Sequence, residues 1–291
     1  MIPIYIPSYN RAESITTTKW LDKDNIPYKV LLHTQKCKKE YLKSGIVKEE
    51  NIIVTNTEKG ITNQRNWIIN NLAEKGSWYI SFDDNIRTFK RVVDKYYFNK
   101  KRLDVKSKEI TQKSFNKNIT AKEYLELLEK DIKVAESIKA EYIGYATVDN
   151  YFFNSKKYKS VGYVISKAVA IKYEGLTYDK NVEAMEDFCY CAEQLIKNNC
   201  VLINAWIKPQ AGHYEKGGIG TYDERVGRKI IDCKYLMRKY PDFFRYKKKK
   251  GCHPKAELQI RFNKPKQIIE WKKSNYNKYN TIQRLEKSVT T

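Results

Sequence analysis

The sequence predicts an α/β fold, a mostly parallel central sheet flanked by helices, and three features carry that expectation. The first third of the chain alternates strand-like with helix-like segments, the pattern of parallel strands joined by crossover helices. Its strand-like runs are nearly all apolar, as strands buried on both faces must be. A short polar turn follows each of them. In open sheets of this kind ligands bind beyond the carboxyl ends of the strands, so those turns are where chemistry is expected.

Ile2 to Pro7 reads as the first strand, followed by the turn-prone Ser8, Tyr9, Asn10 and Arg11. Tyr28 to His33, Asn51 to Thr55 and Trp78 to Phe82 read as the next three. Lys95 to Asn118 is basic and polar with no period, which marks an insertion. A helix is expected from Ala121 to Ile138, with Tyr124, Leu127, Leu128, Ile132 and Ala135 along one side. A strand pair is expected across Tyr142 to Val148 and Ser160 to Ser166, then a helix from Ala184 to Lys197. After Gly227 the sequence reads as helical and basic, with Lys247 to Lys250 an unbroken charge run. The expected division is therefore a domain over residues 1–226, carrying the insertion at about 95–118, and a basic, mainly helical extension over 227–291.

Fifty-six Lys and Arg against 34 Asp and Glu leave a formal charge of +22. Such a field concentrates polyanions and speeds their capture. A compositional lean toward Lys, Asn, Ile and Tyr gives the same count without selection for binding, so the charge admits both readings. No run approaches the roughly 18 apolar residues of a membrane span, and no basic segment precedes an apolar signal core at the N-terminus. A soluble, cytosolic protein is expected, in the host cytoplasm if phage-encoded. Six cysteines without a CxxC pair read as reduced thiols.

The strongest local signal is Trp78-Tyr79-Ile80-Ser81-Phe82-Asp83-Asp84-Asn85, a buried strand ending in two carboxylates and an amide. Carboxylates held together repel unless a cation compensates them. A hard divalent ion, Mg²⁺ or Mn²⁺, takes oxygen ligands and often only one or two protein carboxylates, leaving room for substrate phosphates. Capping of the next segment and pairing with an Arg would also account for Asp83 and Asp84. The preceding helix places Ile61, Ile68, Ile69 and Leu72 on one face with Arg65 in its middle. A guanidinium there, near the positive end of the macrodipole, needs an anion. Asp83 is one candidate; a nucleotide pyrophosphate accounts for Arg65, the carboxylates and the adjacent Gly60 together.

The order and spacing of Ile4 to Arg11, Lys59 to Asn66 and Phe82 to Asn85 resemble those of GT-A glycosyltransferases, of the family 2-like kind. The resemblance covers roughly residues 1 to 95 well and 180 to 222 loosely. It implies that Pro7, Tyr9, Asn10 and Arg11 lie by the nucleotide base, that Arg65 lies near the nucleotide, and that Asp83 and Asn85, with Asp84 between them, bind metal and diphosphate. Asn85 departs from the family's Asp and leaves Asp84 as an alternative ligand. Glu186 and Asp187 open a helix and resemble the element that supplies the catalytic base, Asp187 ahead of Glu186. Purely structural acids complementing the helix dipole would look the same. His213 resembles a late metal ligand, beside a Gly-rich loop in which Lys216, Gly217 and Gly218 could close over the donor. The implied activity is hexosyl transfer from a nucleotide-sugar, UDP-linked, with Mn²⁺ or Mg²⁺.

For the acceptor, Tyr145, Tyr151, Phe152, Phe153, Tyr158 and Tyr163 interleave with Lys156, Lys157 and Lys159. Aromatic faces stack on bases while Lys neutralises phosphate, although an ordinary half-buried sheet has the same composition. With the charge, the scaffold is similar to the phage-type DNA-base glycosyltransferases that work alongside TET/JBP-like hydroxylases. That resemblance implies DNA carrying a hydroxymethylated pyrimidine as acceptor. The alternatives are a polysaccharide, lipid-linked sugar or protein acceptor, or a non-catalytic DNA-binding protein on the same scaffold.

Overall fold

The computed structural model describes residues 1–92, 117–148, 154, 156–212, 222–241, 243–247 and 258–260. Strands β1 (Ile4–Pro7), β2 (Lys29–Leu32), β3 (Ile52–Val54) and β4 (Trp78–Phe82) run parallel in the order β3-β2-β1-β4. Helices α1 (Thr17–Asp22), α2 (Gln35–Ser44) and α3 (Ile61–Asn71) make the crossovers. All four carboxyl ends therefore open on one edge. Alternate residues feed opposite faces, as the two-residue period requires. Ile4, Ile6, Val30, Leu32, Ile80 and Phe82 join one core with Trp20, Tyr41 and Tyr124, whereas Tyr5, Leu31 and Tyr79 join another with Ile68, Ile69 and Tyr190.

Beyond β4 the eight-stranded sheet continues through β9 (Ala168–Lys172), β7 (Tyr142–Tyr145), β10 (Leu202–Asn204) and β8 (Tyr158–Lys159). β9 is antiparallel to both β4 and β7. Its first residue pairs with Phe82, so the segment entering β9 arrives at the same edge where β4 ends. A second sheet, β11-β5-β6, joins β11 (Ile207–Ala211), β5 (Ile86–Arg91) and β6 (Lys117–Ile119). The expected α/β class and the mostly parallel GT-A-type sheet are what the molecule has.

The 121–138 helix forms as α4 (Ala121–Ser137), started by a capping box in which Thr120 and Glu123 exchange side-chain bonds with each other's backbone. The 184–197 helix forms as α5 (Glu186–Asn198). The expected strand over Ser160 to Ser166 does not form, and the partner of β7 on that side is β9. The 160–166 segment lies over the sheet instead: a Cβ on Gly144 of β7 would sit 2.3 Å from Val164. Only a glycine admits that crossing.

Helix α6 (Tyr222–Lys239) runs unbroken through residues 226 and 227. The chain after it is not wholly helical, because β12 (Phe244–Tyr246) and β13 (Leu258–Ile260) pair antiparallel and bury Phe244 and Leu258. Most of the basic insertion, Lys248 to Lys250 and residues 261–291 lie outside the described residues. Among the described residues no helix is long and apolar enough to cross a membrane. The described cysteines, 37, 189, 191, 200 and 233, are free thiols.

Candidate active site

At the edge where β1 and β4 end, a pocket of about 350 Å³ opens between the β1 turn, the start of α3, the end of β4, the approach to β9 and the starts of α5 and α6. Pro7, Tyr9, Arg11, Gly60, Arg65, Asp83, Asp84, Asn85, Glu186 and Asp187 all line it. Asn10 is exposed and is not among the lining residues; its left-handed φ of 53° turns the chain so that Arg11 folds back. His213, Lys216, Gly217 and Gly218 lie outside the described residues.

Two buried ion pairs organise the floor. Arg65 donates from Nη1 to Glu186 Oε1 at 2.8 Å and from Nη2 to the Ser166 carbonyl at 3.0 Å. Its second carboxylate, Asp83, stands 3.6 Å away. The anion that Arg65 demands is thus mainly Glu186, which is itself buried. The other pair joins Arg11 Nε to Asp84 Oδ1 at 3.2 Å. Asp84 Oδ2 accepts from Ser8 Oγ at 2.5 Å, and Ser8 Oγ meets Tyr41 Oη at 2.6 Å. Asp84 thereby ties the β1 turn to the end of β4.

Asp83 and Asn85 point the other way. The Asp83 side chain is 33 % exposed, with its backbone N–H held by the Lys167 carbonyl at 2.7 Å. Asn85 donates from Nδ2 to the Gly212 carbonyl at 2.9 Å, while its Oδ1 is buried without a hydrogen-bond partner. Asp187, less buried than Glu186, accepts from Tyr163 Oη and from the Phe188 N–H. Tyr163 is itself stacked on Phe188, ring centroids 3.9 Å apart.

The electrostatics follow from three carboxylates lining one pocket. Burial pushes Asp83, Glu186 and Asp187 above the ordinary carboxylate range, opposed in each case by Arg65. Burial likewise holds Asp84 up at about 6, against the pull of Ser8 and Arg11. Lys167 is pushed down by burial. On the far side, Tyr9 presents an edge to His33 at 5.6 Å and carries the Lys59 ammonium 4.7 Å from its ring centre. This is an aromatic wall suited to a nucleobase.

Residues 2–208 match the family of TET-Associated Glycosyltransferases. The chain belongs to this family. Neither the curated proteins nor the solved structures give a match.

Asp83 offers a partly open carboxylate, and Asn85 Oδ1 is a buried, unsatisfied oxygen two residues along, a donor set that would fit a divalent ion. Asp84 is a poorer ligand, since both its oxygens are already engaged. The only trio of Asp, Glu, Cys or His ligand atoms within 4.8 Å among the described residues is elsewhere, at Asp179, Cys189 and Glu193. There the Lys239 ammonium lies 2.6 Å from Asp179 and 3.0 Å from Glu193, so a cation is already in place.

The transferase's pocket also uses residues without an obvious mark in the sequence. Lys167, Ser166, Arg225 and Arg228 line it. Asp232 of α6 holds the turn that leads into α5, its Oδ2 accepting from the N–H groups of Glu183, Ala184 and Met185 at 3.1, 2.6 and 3.0 Å. Only His33, in its turn after β2, sits where a strand end would have directed attention. Of the aromatic set expected to stack on bases, Tyr145 and Tyr158 are core residues, and Tyr158 Oη donates to Asp131 at 2.9 Å. Tyr151, Phe152 and Phe153 lie outside the described residues.

Proposed function

We propose that the enzyme transfers a hexose from a UDP-linked donor to the hydroxymethyl group of a modified pyrimidine in DNA. The observation that carries this reading is the meeting, in one pocket, of the Asp83–Asn85 strand end, the Arg65–Glu186 pair and Asp187. Family membership supplies the transferase chemistry; the charge of +22 supports a polyanionic acceptor.

Asp83 and Asn85 are proposed to hold the divalent ion, Mn²⁺ or Mg²⁺, with His213 as a further ligand. When bound, that ion neutralises charge developing on the leaving diphosphate. Pro7, Tyr9 and Arg11 form the wall beside the base, with Asn10 turning the chain between them. Gly60 precedes α3 with a φ of 137° and brings backbone to the phosphates, and Lys216, Gly217 and Gly218 are proposed to close over the donor.

Asp187 takes the proton of the acceptor hydroxyl as that oxygen bonds to the anomeric carbon, and the bond from that carbon to the diphosphate breaks with its electron pair. Tyr163 orients the Asp187 carboxylate. Arg65, held by Glu186, keeps the floor rigid and the local charge balanced. We propose residues 1–226 as the transferase domain and residues 227–291, apart from the α6 side chains that pack on that domain, as a basic flank that holds the DNA. A test is incubation of the enzyme with UDP-hexoses, Mn²⁺ and duplex containing 5-hydroxymethylpyrimidine. A hexose mass gained on the modified base supports the assignment; hexose gained equally on unmodified DNA, or on none, contradicts it.

A further inference from the structure

We propose that Arg225 and Arg228 of α6 bind the diphosphate of the sugar donor, so that a helix beyond the family match completes the donor site. The inference rests on the donor reading above. A diphosphate in this pocket needs cationic donors. Arg11 and Arg65 are committed to Asp84 and Glu186, with all four side chains between 4 and 11 % exposed. Turning either guanidinium to a phosphate would leave a carboxylate buried and unpaired. Arg228 is placed differently: it meets Glu183 at 3.2 Å, with side-chain exposures of 35 and 59 %. A rim pair of that kind contributes little, and exchanging it for a forked contact to phosphate gains a stronger bond. Arg225 lies one turn earlier on the same helix face and lines the same pocket.

The helix is held so that those two side chains stay over the opening. Positions 225, 228, 232, 235 and 239 recur every three or four residues and share a face. Asp232 holds the turn into α5, Tyr235 Oη donates to Asp179 at 2.8 Å, and Lys239 bridges Asp179 and Glu193. The last three turns are anchored, and the first two present Arg225 and Arg228 to the pocket. Such preorganisation lowers the ordering cost of binding.

Titration calorimetry with Mn²⁺ tests this on the full chain, comparing the wild type with R225A, R228A, R225K and R228K. The probes are UDP, GDP, ADP and CDP, uridine as a phosphate-free control, and a DNA duplex as an alternative phosphate source. Each Ala variant is expected to bind the preferred diphosphate about tenfold more weakly. Lys restores part of that affinity, and uridine and duplex binding change less than about twofold. Undiminished diphosphate affinity in both Ala variants overturns the proposal. Loss of duplex affinity with diphosphate affinity intact overturns it too, assigning the arginines to the acceptor's phosphates. A wild type that binds none of the four diphosphates removes the donor reading itself, and this proposal with it.

Discussion

Arg65 and Glu186 stand 121 residues apart in sequence and 2.8 Å apart in space. Their contact locks α3 to α5 at the floor of the pocket, and Asp187, the next residue, takes its position from it. Arg65→Met leaves Glu186 buried without its cation and deprives the partly open Asp83 of the same charge. Breaking such a pair costs about 3–5 kcal/mol. Urea unfolding should show a loss of that size; a loss under 1 kcal/mol would mean that the pair is solvated in solution.

Asp187→Asn removes the proposed proton acceptor while keeping its shape and its bond to Tyr163. Turnover is expected to fall about 10²- to 10⁴-fold, the range of general-base contributions, at nearly unchanged melting temperature. Full activity in this variant would reassign the base.

The pH profile follows from the same residue. Burial raises the pKa of Asp187, outweighing Tyr163, Arg65 and the Phe188 N–H, which pull it down. A base must be ionised, and a raised pKa moves the pH at which ionisation is lost upward. The acidic limb of kcat/KM should therefore lie above the ordinary carboxylate value of about 3.9, with activity rising as pH increases through it. A limb at or below that value contradicts the burial argument.

Much of this site could be read from residue order because its parts are local. A buried strand that ends in Asp83-Asp84-Asn85, and a helix with Arg65 on its apolar face, are each visible within a dozen residues. The contacts that decide roles are not local. Nothing near Asp232 indicates that it holds the turn into a helix starting 46 residues earlier, at Glu186, and nothing near Glu186 indicates that Arg65 is its partner. β9 is hard to read from sequence for a related reason. Its five residues, Ala-Val-Ala-Ile-Lys, are short and apolar without alternation, and the more aromatic 160–166 stretch competes as a strand. The Gly144–Val164 crossing settles that competition, and it acts through tertiary contact.

Asp232→Ala removes the acceptor of three backbone N–H groups in the turn that leads into α5. The cost expected is about 1–3 kcal/mol for buried donors left unpaired, with turnover reduced because Glu186 and Asp187 open that helix. Asp232→Asn, which keeps an acceptor oxygen, should recover part of both. Equal behaviour of the two variants, measured by thermal unfolding and turnover, would remove that role.

Gly144→Ala places a Cβ against Val164 and should destabilise by about 1–3 kcal/mol, as overpacking does. Val164→Ala in the same chain opens space and should return part of the loss. If Gly144→Ala alone is neutral, the 160–166 segment does not cross β7 as described.

The most direct measurement is nucleoside diphosphate release from a panel of nucleotide-sugars with Mn²⁺. It should be run with and without DNA containing 5-hydroxymethylpyrimidine, for the wild type and Asp83→Ala. Release from a UDP-sugar, stimulated by the modified DNA and abolished by the substitution, is the predicted result. Release that ignores DNA, or that survives Asp83→Ala, would contradict the proposed acceptor or the proposed metal site respectively, and release from no donor would contradict both.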